Sequence, residues 1–132
     1  MPQKDFVIWL GENTYIAVDF TTVQGIMISF VIRLMFITEE GEHNVARYDT
    51  AHGTPHRDIV SHANRVIQKD WLTDLEFHAA MAYGIADFKK NHENYIAKWI
   101  AERDAIRAAA GNRKKSAHRN TPNSKSRRKN AS

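Results

Sequence analysis

The 132-residue chain has no cysteine, which excludes disulfides, thiolate zinc sites, iron–sulfur clusters and a cysteine nucleophile. It also lacks any apolar run near the roughly 20 residues of a membrane helix. The longest such stretch, Met27–Ile37, is interrupted by Ser29 and Arg33. The opening Met1-Pro2-Gln3-Lys4-Asp5 is without the charged-then-apolar order of a signal peptide. These absences point to a soluble, cytoplasmic protein with no membrane partner. A further deficit is local: the last 22 residues contain no acid, no aromatic and no branched aliphatic side chain.

That local deficit divides the charge. Residues 1–110 hold 11 Lys/Arg against 15 Asp/Glu, a net of −4, whereas residues 111–132 hold 8 Lys/Arg and no acid, a net of +8. The basic segment cannot bury enough apolar surface to offset its ordering entropy, so the sequence predicts one domain over 1–110 and a disordered basic tail over 111–132. A flexible cationic arm attracts phosphate backbones without reading sequence. Arg113, Lys114, Lys115, Arg127 and Arg128 are the candidate contacts to RNA or another nucleic acid. The alternative is a solubilising extension, or one that folds back on the acidic body.

Periodicity over the body predicts an α+β fold. Lys4–Leu10 and Thr14–Thr22 read as strands around the Gly11-Glu12-Asn13 turn. Ile26–Thr38 is the longest strand, apolar on both faces and therefore central. Glu39-Glu40-Gly41 turns the chain into Glu42–Thr50, which completes an antiparallel four-stranded β-meander. Gly53 and Pro55 argue for a loop over His52–Asp58, and Val66–Lys69 is an uncertain further strand. Thr73-Asp74-Leu75-Glu76 has the form of a capping box. From there Met81, Ile85, Phe88, Tyr95, Trp99 and Ile106 give an apolar stripe, on one long helix or two shorter ones packed on one face of the sheet. Asn91–Asn94 is the candidate break and Gly111 the candidate stop. There is no internal repeat.

The densest reactive stretch runs from Arg47 to Asp58. If the Gly53/Pro55 bend returns His56 toward His52, two imidazoles could act as acid and base in metal-independent phosphodiester cleavage. Arg57 and Arg47 would then clamp the phosphate, Asp49 or Asp58 would orient an imidazole, and Tyr48 would position a base or donate a proton. The first reading needs no cofactor. A second is a divalent-metal site using His52, His56 and one or both of Asp49 and Asp58. Against it, Gly53 and Pro55 deny the histidines the helix on which a pair four apart shares a metal. The competing structural reading has Asp49, Thr50 and Asp58 capping turns, Arg47 pairing across strands and Tyr48 in the core. Arg33 similarly suits a structural pair with Asp19 or Asp49. Trp9, Trp71 and Trp99 read as core or edge packing, because none lies in a basic cluster.

The run Tyr48-Asp49-Thr50-Ala51-His52-Gly53-Thr54-Pro55-His56-Arg57-Asp58 resembles a YDTAHG–xx–H–x–D signature of small prokaryotic proteins of poorly known function, which carry it between a β-meander and a helix. Those proteins in turn are similar to TumE-type toxins of toxin–antitoxin pairs, the match here being Tyr48, Asp49, Gly53 and His56. The toxins differ in the spacing of their histidines and in having no such basic tail. The resemblance implies a toxin-like protein acting on RNA or translation, with a small antitoxin protein as partner.

Overall fold

In a computed structural model, which describes residues 3–119 and their side chains as far as Gly111, one antiparallel sheet is followed by one helix. The strands are β1 (Gln3–Trp9), β2 (Thr14–Val23), β3 (Ile26–Thr38), β4 (Gly41–Asp49), β5 (His56–Val60) and β6 (Val66–Trp71), and they lie in the sheet in chain order. The α+β meander is therefore as expected but has six strands rather than four. The correction lies in His52–Asp58, where only the first part is loop. Thr50–Gly53 forms a turn, closed by the Gly53 amide donating to the Thr50 carbonyl at 2.9 Å with Gly53 at φ +85°. Pro55 stands just before β5, the position where a missing N–H does least harm to a ladder.

Register assigns the side chains to two faces. Ile16, Val18, Phe30, Ile32, Leu34, Ala46 and Tyr48 lie opposite one another across β2, β3 and β4 and are all 1% exposed or less. A bulge between Leu34 and Met35 leaves Val45 without a partner, so Val45 and Ala46 are consecutive buried residues. Helix α1 (Phe77–Arg119) packs on this face through its residues up to Trp99. Phe77 meets Phe30, Phe88 meets Tyr48, and Trp99 meets Phe36, with ring centroids 6.4, 5.2 and 5.6 Å apart. Trp99 also gathers His43 and His62, at 4.7 and 5.2 Å. The chain divides into two compact units, one ending at Trp99 and the other starting at Ile100.

The helix is the single long one of the two alternatives, and its expected start and stop are corrected. It starts at Phe77 rather than inside a Thr73 capping box, because Glu76 itself is the cap: its carboxylate accepts from the amides of His78 and Ala79 at 3.2 and 3.1 Å. It does not break at Asn91–Asn94, because these polar side chains bond within the helix. Asn91 donates to Asp87 at 2.7 Å, and a ring nitrogen of His92 lies 3.2 Å from the Lys89 carbonyl. It passes Gly111 and carries Arg113, Lys114, Lys115 and Arg119 on helical backbone, so 111–119 is not an irregular tail. Arg127 and Arg128 lie outside the described residues. No helix among the described residues is long and apolar enough to cross a membrane.

Gly84 is the closest approach of helix to sheet. A Cβ there would lie 2.5 Å from Ile32 Cδ1 and 2.8 Å from Tyr48 Cδ1, inside a packed core. Gly84→Ala is expected to lower stability by about 1–2 kcal/mol in urea denaturation. The sign is informative, since helix propensity alone would favour alanine by about 1 kcal/mol.

Candidate functional site

Successive residues of a strand point to opposite faces, and this decides the fate of the reactive stretch. On β4 and β5 the pairs Asp49–His56 and Arg47–Asp58 face away from the helix, while Tyr48–Arg57 faces toward it. The expected site residues therefore form two clusters with the sheet between them.

On the open face, Asp58 is the centre. Its residue is 0% exposed, His56 1% and Asp49 6%, although they face away from the Phe77–Trp99 part of α1. The cover comes from neighbouring side chains. Lys69 donates to Asp58 Oδ1 at 2.7 Å and Arg47 Nε donates to Oδ2 at 3.0 Å. Arg47 Nε also lies 3.3 Å from Asp49 Oδ2. His56 Nε2 lies 3.0 Å from Asp49 Oδ1 and 3.5 Å from Asp58 Oδ2, while its Nδ1 lies 3.1 Å from the Thr54 carbonyl oxygen. Both nitrogens of His56 thus lie beside oxygen atoms of the chain, so neither is turned to open solvent. The His56 ring is flanked by Trp71 at 5.0 Å and by His52 at 6.0 Å, the latter nearly parallel. Burial alone would raise the Asp58 carboxyl, but the Lys69 hydrogen bond and the charges of His56, Arg47 and Lys69 outweigh it and hold the group below its ordinary 3.8.

Asp49, His56 and Asp58 each present a ligand atom within 4.8 Å of the others, the one such group of three among the described residues. As a metal site the set fits poorly. Both oxygens of Asp58 already face a cation of the chain, and His56 Nε2 is aimed at the carboxylates instead of at a shared point beside them. A divalent ion would have to displace Lys69 or Arg47. Asp49 Oδ1 also accepts from the Ala51 amide at 3.0 Å, the turn-capping role of the structural reading.

On the helix side, Asp87 gathers the second cluster. Tyr48 donates to its Oδ2 at 2.8 Å, Tyr95 donates to the same oxygen, and Asn91 donates to Oδ1. Arg57 reaches Asp70 through Nε at 3.0 Å and Nη2 at 2.6 Å, and donates from Nη1 to the Tyr95 hydroxyl at 2.8 Å. Burial, with the Asp87 hydrogen bond, pushes Tyr95 up to about 12 and Tyr48 well above the ordinary phenol range. Arg57 is raised too: burial opposes its charge, and the bonds to Asp70 and Tyr95 overcome that. Its Asp70 partner is held below its ordinary value chiefly by the Arg57 hydrogen bond, with a further one from Gln68, against the opposing effect of burial. Arg57 is thereby a strut between sheet and helix, with its fork already filled.

Lys69, Trp71, Asp70, Asp87 and Tyr95 complete these clusters and were not among the expected site residues. The available signals were the alternation of β6 and the spacing Asp87, Asn91, Tyr95, four residues apart on one helix face. Arg33 makes the expected structural pair, 3.4 Å from Asp19.

Residues 1–105 match the family described as a domain of unknown function, DUF7718, and the chain belongs to that family. No curated protein and no solved structure gives a match.

A carboxylate held below its ordinary value stabilises the fold above about pH 4, and the contribution is lost as pH falls through the folded-state value. Asp58→Asn is expected to remove that part of the acid sensitivity and to cost about 2–4 kcal/mol at neutral pH. The lower part of the range for breaking a buried pair applies because the Arg47 and Lys69 side chains are each 32% exposed. Urea denaturation of wild type and variant from pH 7 down to pH 3 reads both effects.

Proposed function

We propose that this DUF7718 chain is a nucleic-acid-binding module whose affinity comes from the end of α1 and the residues after it. The observation that carries the reading is the segregation of charge: eight Lys/Arg and no acid over 111–132, against a net of −4 over 1–110. Helical backbone through Arg119 supports it, since four of those cations then follow one another on a regular frame. Phosphate contacts of this kind release counterions and bind without sequence preference. The inward fixing of Asp49, His56 and Asp58 and the filled fork of Arg57 also favour binding over chemistry, because these groups are already engaged with one another.

A second reading, RNA cleavage, is favoured by one observation, the near-parallel His52 and His56 rings beside Asp49 and Asp58. In it, exposed His52 takes the proton of a 2′-hydroxyl, the 2′-oxygen forms its bond to phosphorus, and the 5′-oxygen leaves with a proton returned to it. Arg47, on the same face, would steady the phosphate in place of Arg57. A toxin-like form of this reading adds a small antitoxin protein as the partner that restrains it.

Replacing all eight Lys/Arg of 111–132 by Gln in the full-length chain is expected to abolish oligonucleotide binding at moderate salt. The wild type should show a log–log salt slope reaching about −6 if all eight cations contact a single strand. A variant that binds as the wild type does would contradict the reading. For cleavage, purified protein incubated with mixed RNA is expected to leave it intact with and without EDTA. Cleavage that persists in EDTA and is lost in His52→Ala would establish the second reading instead.

A further inference from the structure

On the β5–β6 side of the open sheet face, the acids are underneath and the cations and rings are on top. Asp58 and Asp49 expose 1% and 9% of their side chains, whereas Lys69 and Arg47 each expose 32%. Trp71 is 50% exposed in this setting. The His56 ring lies 5.0 Å from it at an interplanar angle of 52°, and the Lys69 ammonium lies over the indole, 5.5 Å from its centroid. A half-exposed indole with an imidazole against it and an ammonium over its ring has the parts of a stacking platform: exposed π-surface for a base and charge for the adjoining phosphate.

The other exposed tryptophan on this face provides the contrast. Trp9 is 58% exposed at the opposite edge, but it packs on Tyr15 at 4.9 Å, and Tyr15 is bonded to the Glu42 carboxylate. A base stacked on Trp9 would bring its phosphates toward acid.

We infer that Trp71, with Lys69, Arg47 and the exposed ring of His52, forms a stacking site for an unpaired base of a single-stranded nucleic acid. The inference rests on the nucleic-acid reading above and specifies the ligand within it. The cationic segment contacts phosphates of any strand, whereas this site requires a base free of its stack and therefore selects single strands over duplex. The arrangement was hidden in the sequence because Lys69 and Trp71 are separated from Arg47 and His52 by β5 and the turns beside it, and only the β4–β5–β6 register assembles them.

The test uses full-length protein with short oligouridylate, oligothymidylate and a duplex of equal charge. Trp71→Leu is expected to weaken single-strand binding about tenfold, to leave duplex affinity and the salt slope unchanged, and to be largely rescued in Trp71→Phe. Trp9→Leu should bind as wild type. In Trp9→Phe the remaining half-exposed indole is Trp71, and the single strand should protect its emission from acrylamide, a readout that does not depend on how Trp71 variants fold. A stronger effect with the uridylate than the thymidylate would assign the ligand as RNA. Equal single-strand affinity of Trp71→Leu and wild type, or unprotected emission in Trp9→Phe, would overturn the stacking site while leaving phosphate binding intact. Failure of the wild type to bind any of the three would overturn the nucleic-acid reading beneath it.

Discussion

A carboxylate with no exposed surface must be matched by cations within hydrogen-bond reach, or it will not remain charged in the fold. Asp58 meets this requirement through Lys69, Arg47 and His56. Much of the open face follows from it. Lys69 has to lie across β6 toward β5, which borders Trp71 with an ammonium. His56 has to sit between carboxylates and the Thr54 carbonyl, which fixes the floor under Trp71. Arg47 has to lean over Asp58 and Asp49, which buries two acids beneath a cationic surface. One buried charge thus turns a polar strand into a rigid support.

The helix side solves the same problem with different chemistry. Asp87 on α1 is satisfied mainly by neutral donors, the hydroxyls of Tyr48 and Tyr95 and the amide of Asn91. Arg57 then links Tyr95 to Asp70, so that β5, β6 and α1 share one network. Gly84 lets the helix settle directly on Ile32 and Tyr48. Seating of the Phe77–Trp99 part of α1 on the sheet is what such a network provides, and it explains why a strand as polar as His56-Arg57-Asp58 belongs in the interior of this sheet.

Much of this fold was legible from alternation. The apolar faces of β2 and β3 are unambiguous, and their bounds fall within a residue of the structure because turns with Gly25 and Gly41 delimit them. β5 was not legible, since His56 and Asp58 on one face and Arg57 on the other are all polar, and polarity on both sides erases the period-two signal. A loop over that segment would let His56 and Arg57 converge, whereas adjacent residues of a strand point to opposite faces. Asn91 and His92 misled in a different way: they are weak helix formers alone, but Asp87 and the Lys89 carbonyl take up their polar groups. Trp71 read as packing because Lys69 is the one cation near it in sequence, while the His56 ring against it comes from β5.

The central claim is that His56 is fixed between Asp49, Asp58 and the Thr54 carbonyl as part of a support, with function residing in the surface above it. Long-range nitrogen–proton NMR of the imidazole rings tests this most directly. A His56 Nδ1 proton that exchanges slowly with water and couples to the Thr54 carbonyl carbon is the expected result. Rapid exchange at that nitrogen, at the rate shown by the exposed His52 ring, would contradict the account and return His56 to the role of an accessible acid or base.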